Sequence, residues 1–249
     1  MSALCKGRYR ARIAQDKADL TSAQRLRATA FLAGADSDAS LLDEDPFDEV
    51  CTHVLIEEVE GGRLVCCFRM LALRDGGDIG RSYSAQFYEL SALAQFQGPM
   101  VEMGRFCIAP DVNDPDILRV AWGAMTRFVD DHRVELLFGC SSFHGADAGK
   151  HRDALTMLAA RHIAPRRWLP RVKSPSVVRF AHRLRRAKPD VKRSMLAMPP
   201  LLRTYLMMGG WVSDHAVIDR QLNTLHVFTG LEIAAIPPAR KRLLRAVAQ

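Results

Sequence analysis

The sequence lacks the patterns that mark secreted, zinc-binding and membrane-spanning proteins. Its six cysteines include no Cys-x-x-Cys pair, so neither a disulfide framework nor a metal site is expected, and they are interpreted as small buried residues in a reducing compartment. No apolar run reaches the roughly 18 residues that span a bilayer. The basic start of the chain has no apolar stretch behind it, unlike a secretory signal. We therefore expect a cytoplasmic protein without a bound metal or cofactor.

The composition is that of a globular protein. Apolar residues make up 48% of the 249 residues and charged residues 25%, which excludes a disordered chain. The length fits one large domain or a domain with an extension. The pattern does not specify an oligomeric state.

The spacing of apolar residues predicts an α/β fold. Up to about residue 165 the predicted order is β-α-ββ-α-β-α-β-α, which fits a mixed sheet flanked by helices, with an acidic loop at 36–49. The predicted strands cover residues 9–13, 50–59, 64–73, 100–108 and 134–140. The predicted helices cover residues 19–31, 82–93, 114–132 and 147–162.

Beyond residue 165 the pattern changes. Four prolines interrupt a basic stretch, and only short elements follow it. These later elements are a helix at 199–208, a strand at 225–231 and a terminal helix at 238–247. We therefore predict a core at 8–165 and a basic C-terminal extension, 166–249, packed on it.

Positive charge is concentrated in residues 161–193. This stretch holds twelve Lys or Arg and one Asp, a net of +11, whereas the whole chain is +7. Such a block suits an acidic protein, an anionic membrane surface or nucleic acid, although it is also compatible with a solvated face. Few aromatic residues interleave it, which disfavours single-stranded nucleic acid. The candidate docking residues are Arg166, Arg167, Arg171 and Lys173.

Dispersed motifs in the first half fall in a characteristic order. The motifs are Arg27-xxx-Phe31, Asp45-Pro-Phe-Asp48, Arg69 near the end of an apolar run, and Glu102-Met-Gly104-Arg105-Phe106. Together they resemble the acyl-homoserine-lactone synthases, a branch of the GNAT acyltransferase superfamily. The resemblance implies a GNAT-like fold and assigns substrate binding to Arg27, Phe31, Asp45, Asp48, Arg69 and Phe106.

Two stretches in the second half, residues 137–145 and 199–228, have a different resemblance. They resemble the ornithine-lipid N-acyltransferases. The resemblance implies an N-acyltransferase that moves a 3-hydroxyacyl group from acyl carrier protein to the α-amine of L-ornithine, giving lyso-ornithine lipid, a membrane aminolipid precursor. Because the sequence has a basic block but no spanning run, we also expect a peripheral position on the inner face of the cytoplasmic membrane. A close relative of this family acts on glutamine, so the acceptor stays open between the two amino acids.

Amide formation from a thioester requires an acceptor amine without its extra proton. The reference pKa of an α-amine in peptides is near 8, so a carboxylate base beside it accelerates the reaction. Glu102 is the candidate base, directly or through a water, and the alternative is a structural pair with Arg105. On a regular strand the two residues point to opposite faces, so they can share a site only across a bulge near Gly104. Amides freed by such a bulge can form an oxyanion hole.

The charged motif residues have alternative roles. Asp45 and Asp48 either recognise a cationic amine or organise their loop through Arg27. Arg69 and Arg105 either hold the acceptor carboxylate in a bidentate fork or pair with the aspartates. An acyl-cysteine relay through Cys107 or Cys140 is also conceivable, but direct transfer needs no nucleophile.

The loop at 110–116 indicates the donor. Acetyl-CoA enzymes of the GNAT superfamily present glycine-rich amides to the CoA pyrophosphate at a helix N-terminus. Here the loop has no glycine and carries Asp111, Asp114 and Asp116, which would repel a pyrophosphate. We therefore expect the phosphopantetheine thioester of acyl carrier protein as the donor. The rival functions are acyl-homoserine-lactone synthesis and a non-catalytic protein that binds membrane or nucleic acid through 161–193.

Overall fold

The structure is a computed structural model that describes residues 3–32 and 41–248. Residues 36–40 of the predicted acidic loop lie outside the described residues. The strands are β1 (Leu4–Lys6), β2 (Tyr9–Ile13), β3 (Thr52–Glu58), β4 (Leu64–Leu73), β5 (Tyr88–Glu89), β6 (Met100–Ile108), β7 (Leu136–His144), β8 (Arg171–Val172), β9 (Val177–Val178), β10 (Trp211–Asp219) and β11 (Thr224–Glu232). The α-helices are α1 (Lys17–Phe31), α2 (Pro115–Asp131), α3 (Arg152–Arg161), α4 (Phe180–Arg183), α5 (Val191–Ala197), α6 (Pro200–Met207) and α7 (Pro238–Ala248).

The chain divides into two compact units. Unit 1 comprises the described parts of Met1–Ala72, Met103–Val134 and Pro238–Gln249, and unit 2 comprises Leu73–Glu102 and Glu135–Pro237. Strand β6 passes from unit 2 into unit 1 between Glu102 and Met103. The predicted division into 8–165 and 166–249 concerns domains and stays a prediction.

Unit 1 holds the strand order β1-β2-β3-β4-β6. The first four strands pair antiparallel, and the β3–β4 hairpin turns through Gly61 and Gly62, both in the left-handed region that glycine adopts without strain. Helix α2 follows Asp114, whose side chain accepts from the Asp116 amide, and has Pro115 at its first position. It packs against α7, where Gly123 permits a close approach: a Cβ there would lie 3.0 Å from Val247 Cγ1.

Unit 2 holds the order β6-β7-β11-β10-β9. Strands β6 and β7 run parallel, while β7, β11, β10 and β9 pair antiparallel, so the sheet is mixed. Apolar residues of α3, such as Leu155 and Leu158, pack on buried residues of β10 and β11, such as Val212 and Val227. A mixed sheet flanked by helices is the fold class that the sequence predicts, and this prediction is confirmed.

The prediction of a helix over 82–93 is wrong. The segment forms two 3-10 helices, Ser84–Gln86 and Ser91–Gln95, with strand β5 between them. Distant partners override its helical spacing: the Ser84 amide donates to Glu102, and Tyr88 pairs with Val172. The predicted helices at 19–31, 114–132, 199–208 and 238–247 are confirmed with small changes of boundary. Strands β1 and β10 were not predicted.

Candidate active site

Unit 1 contains a buried cluster of arginines and aspartates centred on Arg27. Helix α1 presents this side chain, which is only 1% exposed. Its Nε donates to Asp43 Oδ2 at 2.8 Å, and its Nη1 and Nη2 donate to the two oxygens of Asp48 at 2.7 and 2.8 Å. Asp48 is held by a 3-10 helix, Pro46–Glu49, in which Asp45 and Asp48 form a reciprocal capping box.

Arg69 and Arg105 complete the cluster. Arg69 donates from Nη1 to Asp45 Oδ1 at 2.6 Å and to Asp48 Oδ1 at 2.7 Å, and from Nη2 to Asp45 Oδ2 at 2.7 Å. Arg105 donates from Nε to Asp43 Oδ2 at 2.9 Å, and its Nη2 lies 3.1 Å from Asp45 Oδ2. The structure thus brings together five of the predicted site residues. Asp43 was missed, although it stands beside them in the acidic run that precedes Asp45.

The arginines keep the carboxylates charged. Burial by itself would raise the pKa of Asp48, but hydrogen bonds from Arg27 and Gln24 outweigh it and hold that pKa well below its usual range. Burial would also raise the pKa of Asp45, but the hydrogen bonds and charge of Arg69 outweigh this effect, so the pKa of Asp45 is lowered. The cluster contains three arginines and three aspartates, so its formal charges balance. The carboxylates of Asp45 and Asp48 therefore already accept from arginines.

The backbone of β6 is distorted at Arg105. This residue has φ +52°, one of three non-glycine residues with positive φ among the described residues. The expectation was a bulge near Gly104, but the left-handed conformation falls on the residue that follows. A left-handed conformation is strained for a side chain such as arginine. The salt bridges from Arg105 to Asp43 and Asp45 hold it in place.

The two aromatic motif residues lie in unit 1. Phe31, at the end of α1, packs against the small core formed by Ala23, Leu55, Cys67 and Cys107. Phe106 is half-buried and stacks on Phe68, with ring centroids 5.8 Å apart.

Unit 2 contains Glu102, a buried residue that is only 4% exposed. Oε2 accepts from the Tyr83 amide at 2.7 Å, and Oε1 accepts from the Ser84 amide at 2.7 Å and the Ser84 hydroxyl at 2.5 Å. Ser84 Oγ also lies 3.4 Å from Cys140 Sγ. The 3-10 turns of residues 82–86 therefore aim several neutral donors at one carboxylate. Sequence reasoning missed Ser84, because this residue lies inside a segment predicted to be helical.

Cys107 is unsuited to an acyl relay. Its Sγ lies 3.5 Å from Cys67 Sγ, and that contact together with burial raises the pKa of the Cys107 thiol well above its usual value. A thiol must ionise to act as a nucleophile. This geometry argues against Cys107 as the acyl carrier in a relay.

A second buried polar group in unit 2 surrounds Tyr88. Its hydroxyl donates to the His226 carbonyl at 2.9 Å and lies 3.2 Å from His226 Nδ1, and its ring is 5.3 Å from that of His215. The Nε2 atoms of both histidines are buried without a hydrogen-bond partner among the described residues. Burial lowers the pKa of His226 to about 4, so the ring is neutral. The sequence signal for this group was His226, which lies inside a predicted strand of mostly apolar residues.

The three aspartates of loop 110–116 and the start of α2 each form a salt bridge with an arginine. Asp111 pairs with Arg63 at 2.6 Å, Asp114 pairs with Arg8, and Asp116 pairs with Arg119 at 2.8 Å. The pairs reduce the repulsion that these aspartates would exert on a pyrophosphate. The Asp114 carboxylate nevertheless occupies the N-terminus of α2, and Pro115 supplies no amide there.

The predicted docking residues are exposed. Arg166, Arg167, Arg171 and Lys173 all lie on the surface of unit 2. Arg167 reaches Glu232 at 3.2 Å, Arg171 lies 3.9 Å from Glu89, and Lys173 donates to the Ala85 carbonyl at 2.6 Å.

Within residues 3–32 and 41–248, no three His, Cys, Asp or Glu side chains gather as a possible metal site. None of the helices in the same residues is long and apolar enough to cross a membrane.

Comparison with known proteins defines first the class and then the family. The model of the acetyltransferase (GNAT) domain matches residues 26–123. FeeM, an N-acyl amino acid synthase from uncultured soil microbes, shares the fold with a TM-score of 0.51, at 11% identity over 92% of this chain and 94% of that chain. The chain thus contains a GNAT-type acetyltransferase domain and has the fold of an N-acyl amino acid synthase.

Full-length relatives give the family. An L-ornithine N(alpha)-acyltransferase of Rhodobacter capsulatus is 30% identical over 239 residues, covering 92% of this chain and 91% of the relative. One from Brucella abortus is 27% identical, with 92% and 86% covered. The protein therefore belongs to the L-ornithine Nα-acyltransferase family, as the stretches at 137–145 and 199–228 predict.

Proposed function

We propose that the protein transfers a 3-hydroxyacyl group from acyl carrier protein to the α-amine of L-ornithine, giving lyso-ornithine lipid. In this reaction the amine loses a proton and attacks the thioester carbonyl. The tetrahedral oxyanion then collapses, the new amide bond forms, and the phosphopantetheine thiolate leaves and takes up a proton.

The full-length relatives carry the proposal for the acceptor. Four proteins named L-ornithine N(alpha)-acyltransferase match this chain at 26–30% identity over 90–92% of its length. The test is thiol release from 3-hydroxyacyl carrier protein with ornithine, glutamine or S-adenosylmethionine as the acceptor. Ornithine should give the highest kcat/KM. A higher value with glutamine would make the protein a glutamine acyltransferase, and a higher value with S-adenosylmethionine would support lactone synthesis instead.

The start of α2 supports acyl carrier protein as the donor. A CoA pyrophosphate needs free amides at a helix N-terminus, but the Asp114 carboxylate caps this helix and Pro115 has no amide hydrogen. Phosphopantetheine on a carrier protein lacks the pyrophosphate bridge to adenosine, so it does not need free amides at this helix N-terminus. With chain length matched, kcat/KM should be higher for the carrier than for acyl-CoA. Equal values, or a preference for CoA, would contradict this assignment.

Glu102 is the proposed general base. The three neutral donors from Tyr83 and Ser84 fix the position of its carboxylate, which suits a group that must meet an amine or a bridging water in one geometry. The Gly104 amide, beside the distorted Arg105, is the proposed oxyanion donor.

The aspartate–arginine cluster has a proposed organising role. Because Asp45 and Asp48 already accept from Arg27, Arg69 and Arg105, the geometry favours loop organisation over recognition of a cationic amine. The same contacts favour pairing of Arg69 and Arg105 with aspartates over a fork on the acceptor carboxylate.

A further inference from the structure

One part of the basic block is built differently from the rest. It comprises α4, α5 and the connection between them, and we call its outer side the α4–α5 surface. The basic side chains of this surface are all exposed: Arg183, Arg185, Arg186, Lys188, Lys192 and Arg193. None of these six pairs with a carboxylate in the part of the chain that the structure describes, and Arg185 donates instead to the His182 carbonyl at 3.1 Å.

The inner side of this surface is fixed to unit 2. Phe180 and Met198 are buried in the core that α3 shares with β10 and β11. The Ser194 hydroxyl donates to the Asp153 carbonyl on α3 at 2.8 Å, and Asp190 caps α5 through the Arg193 amide at 3.0 Å. Both α4 and α5 pack on α3. The exposed side chains therefore project from an anchored base.

Leu196 stands at the outermost position of α5. Its side chain is 73% exposed, the highest value among the large apolar residues described. On a helix, residues three and four positions apart are neighbours, so Leu196 lies one turn beyond Lys192 and Arg193 on the face opposite the buried Ser194. An exposed leucine one turn from two cations, which pair with no carboxylate among the described residues, places an apolar side chain next to positive charge.

We propose that the α4–α5 surface binds anionic membrane lipid, with Lys192 and Arg193 at the phosphates and Leu196 among the upper acyl carbons. Each Lys or Arg near an anionic leaflet strengthens binding about fivefold, and an apolar side chain inserted at the interface adds to this attraction. Charge alone fits any acidic partner equally well. The exposed leucine one turn from Lys192 and Arg193 is the feature that favours lipid.

Helix α7 provides a matched contrast. It also carries an exposed leucine, Leu243 at 61%, on a basic helix. There, however, Arg245 pairs with Asp130 at 3.0 Å, so acidic side chains of α2 partly offset the charge. Leu243→Ser is therefore the control for Leu196→Ser.

The experiment is sedimentation of the full chain with vesicles of phosphatidylcholine, with and without phosphatidylglycerol. Wild type should bind the anionic vesicles only, and added salt should weaken binding. Leu196→Ser should weaken binding about tenfold or more, and the double variant Lys192→Gln/Arg193→Gln about 25-fold. Leu243→Ser should bind as wild type. All of these side chains are exposed, so thermal unfolding should be unchanged.

Binding of acyl carrier protein by fluorescence anisotropy separates the competing partner. The proposal requires that Leu196→Ser leave carrier affinity and thiol release in solution unchanged. Weaker carrier binding with unchanged vesicle binding would make the surface a carrier dock and overturn the proposal. Unchanged vesicle binding by both variants, or an equal loss in Leu243→Ser, would also overturn it.

Discussion

The two units differ in the partners of their buried polar groups. Unit 1 pairs three arginines with three aspartates, of which Arg27, Arg69, Asp43 and Asp48 are buried, and each carboxylate accepts from at least one guanidinium. Unit 2 buries a carboxylate, Glu102, among neutral donors, and two histidines whose Nε2 atoms lack partners among the described residues. The first arrangement is balanced in charge. In the second, the donors to the Glu102 carboxylate that the structure gives are neutral.

This difference suggests a division of labour. A balanced cluster of bidentate pairs fixes loop, helix and strand in one geometry, and it is costly to break because the remaining charges stay buried. The three neutral donors to Glu102 fix the position of its carboxylate, which suits the proposed proton transfer. We therefore expect changes in unit 1 to affect stability first, and changes around Glu102 to affect turnover first.

The largest effect should come from Arg27→Met. The substitution keeps much of the side-chain volume but leaves Asp43 and Asp48 buried with fewer donors. Breaking a buried pair in this way costs about 3–5 kcal/mol. Urea unfolding monitored by circular dichroism measures the loss. Arg245→Met, which breaks an exposed pair with Asp130, is the control and should change stability little. A loss no larger than that of the control would show that the cluster does not stabilise unit 1.

The next effect concerns the pH dependence of stability. The folded pKa of His226 is about 4, lowered from 6.5 chiefly by burial. Between pH 6.5 and 4 the unfolded chain therefore binds a proton at this residue that the folded chain does not bind. The free energy of unfolding is highest above pH 6.5 and decreases by roughly 3 kcal/mol as the pH falls to 4. In unit 1 the pKa values of Asp45 and Asp48 are lowered, so the contribution of these two aspartates is lost only below about pH 4.

His226→Phe should flatten the unfolding free energy over that pH range. Tyr88 keeps its hydrogen bond to the backbone carbonyl of residue 226 in this variant. His53 and His162 also have lowered pKa values, caused first by burial, so a smaller slope should remain. An identical pH profile in the variant would remove His226 as the source.

Sequence patterns predicted the fold where they were local. The amphipathic spacing of 114–132 and the apolar runs at 50–59 and 64–73 depend on neighbouring residues, and the predicted helix and both strands were found. The segment 82–93 was misassigned because its structure depends on Glu102 and Val172, which are distant in the chain. Local spacing carries no information about such partners.

The candidate site shows the same limit. The motif order marked Arg27, Asp45, Asp48, Arg69 and Arg105, and the structure brings them into one cluster. The pairing inside the cluster did not follow from the sequence, since any aspartate can pair with any arginine. Asp43 and Ser84 belong to no recognised motif, and their roles appear only in three dimensions.

A smaller effect, on turnover and not on stability, is expected from Glu102→Gln. The amide keeps the volume but cannot take a proton from the amine, so kcat should fall about 10²-fold or more. Affinity for acyl carrier protein should stay near wild type. Single-turnover thiol release with ornithine measures the rate, and unfolding in urea checks that the chain is intact. Near-normal turnover would exclude Glu102 as the base and erase the proposed difference between the units.

The smallest effect should come from Ser84→Ala, which tests whether the neutral donors position the carboxylate. The Ser84 hydroxyl donates to Oε1 at 2.5 Å, while the amides of Tyr83 and Ser84 remain in the variant. Loss of one hydrogen bond to a charged group corresponds to about tenfold in kcat. Ser84→Thr keeps a hydroxyl and should restore most of the rate. The discriminating measurement is the pH–rate profile: a positioning residue should shift the limb assigned to Glu102, and this shift should vanish in Glu102→Gln. A lower rate with an unshifted profile in Ser84→Ala would leave the hydroxyl with a packing role only.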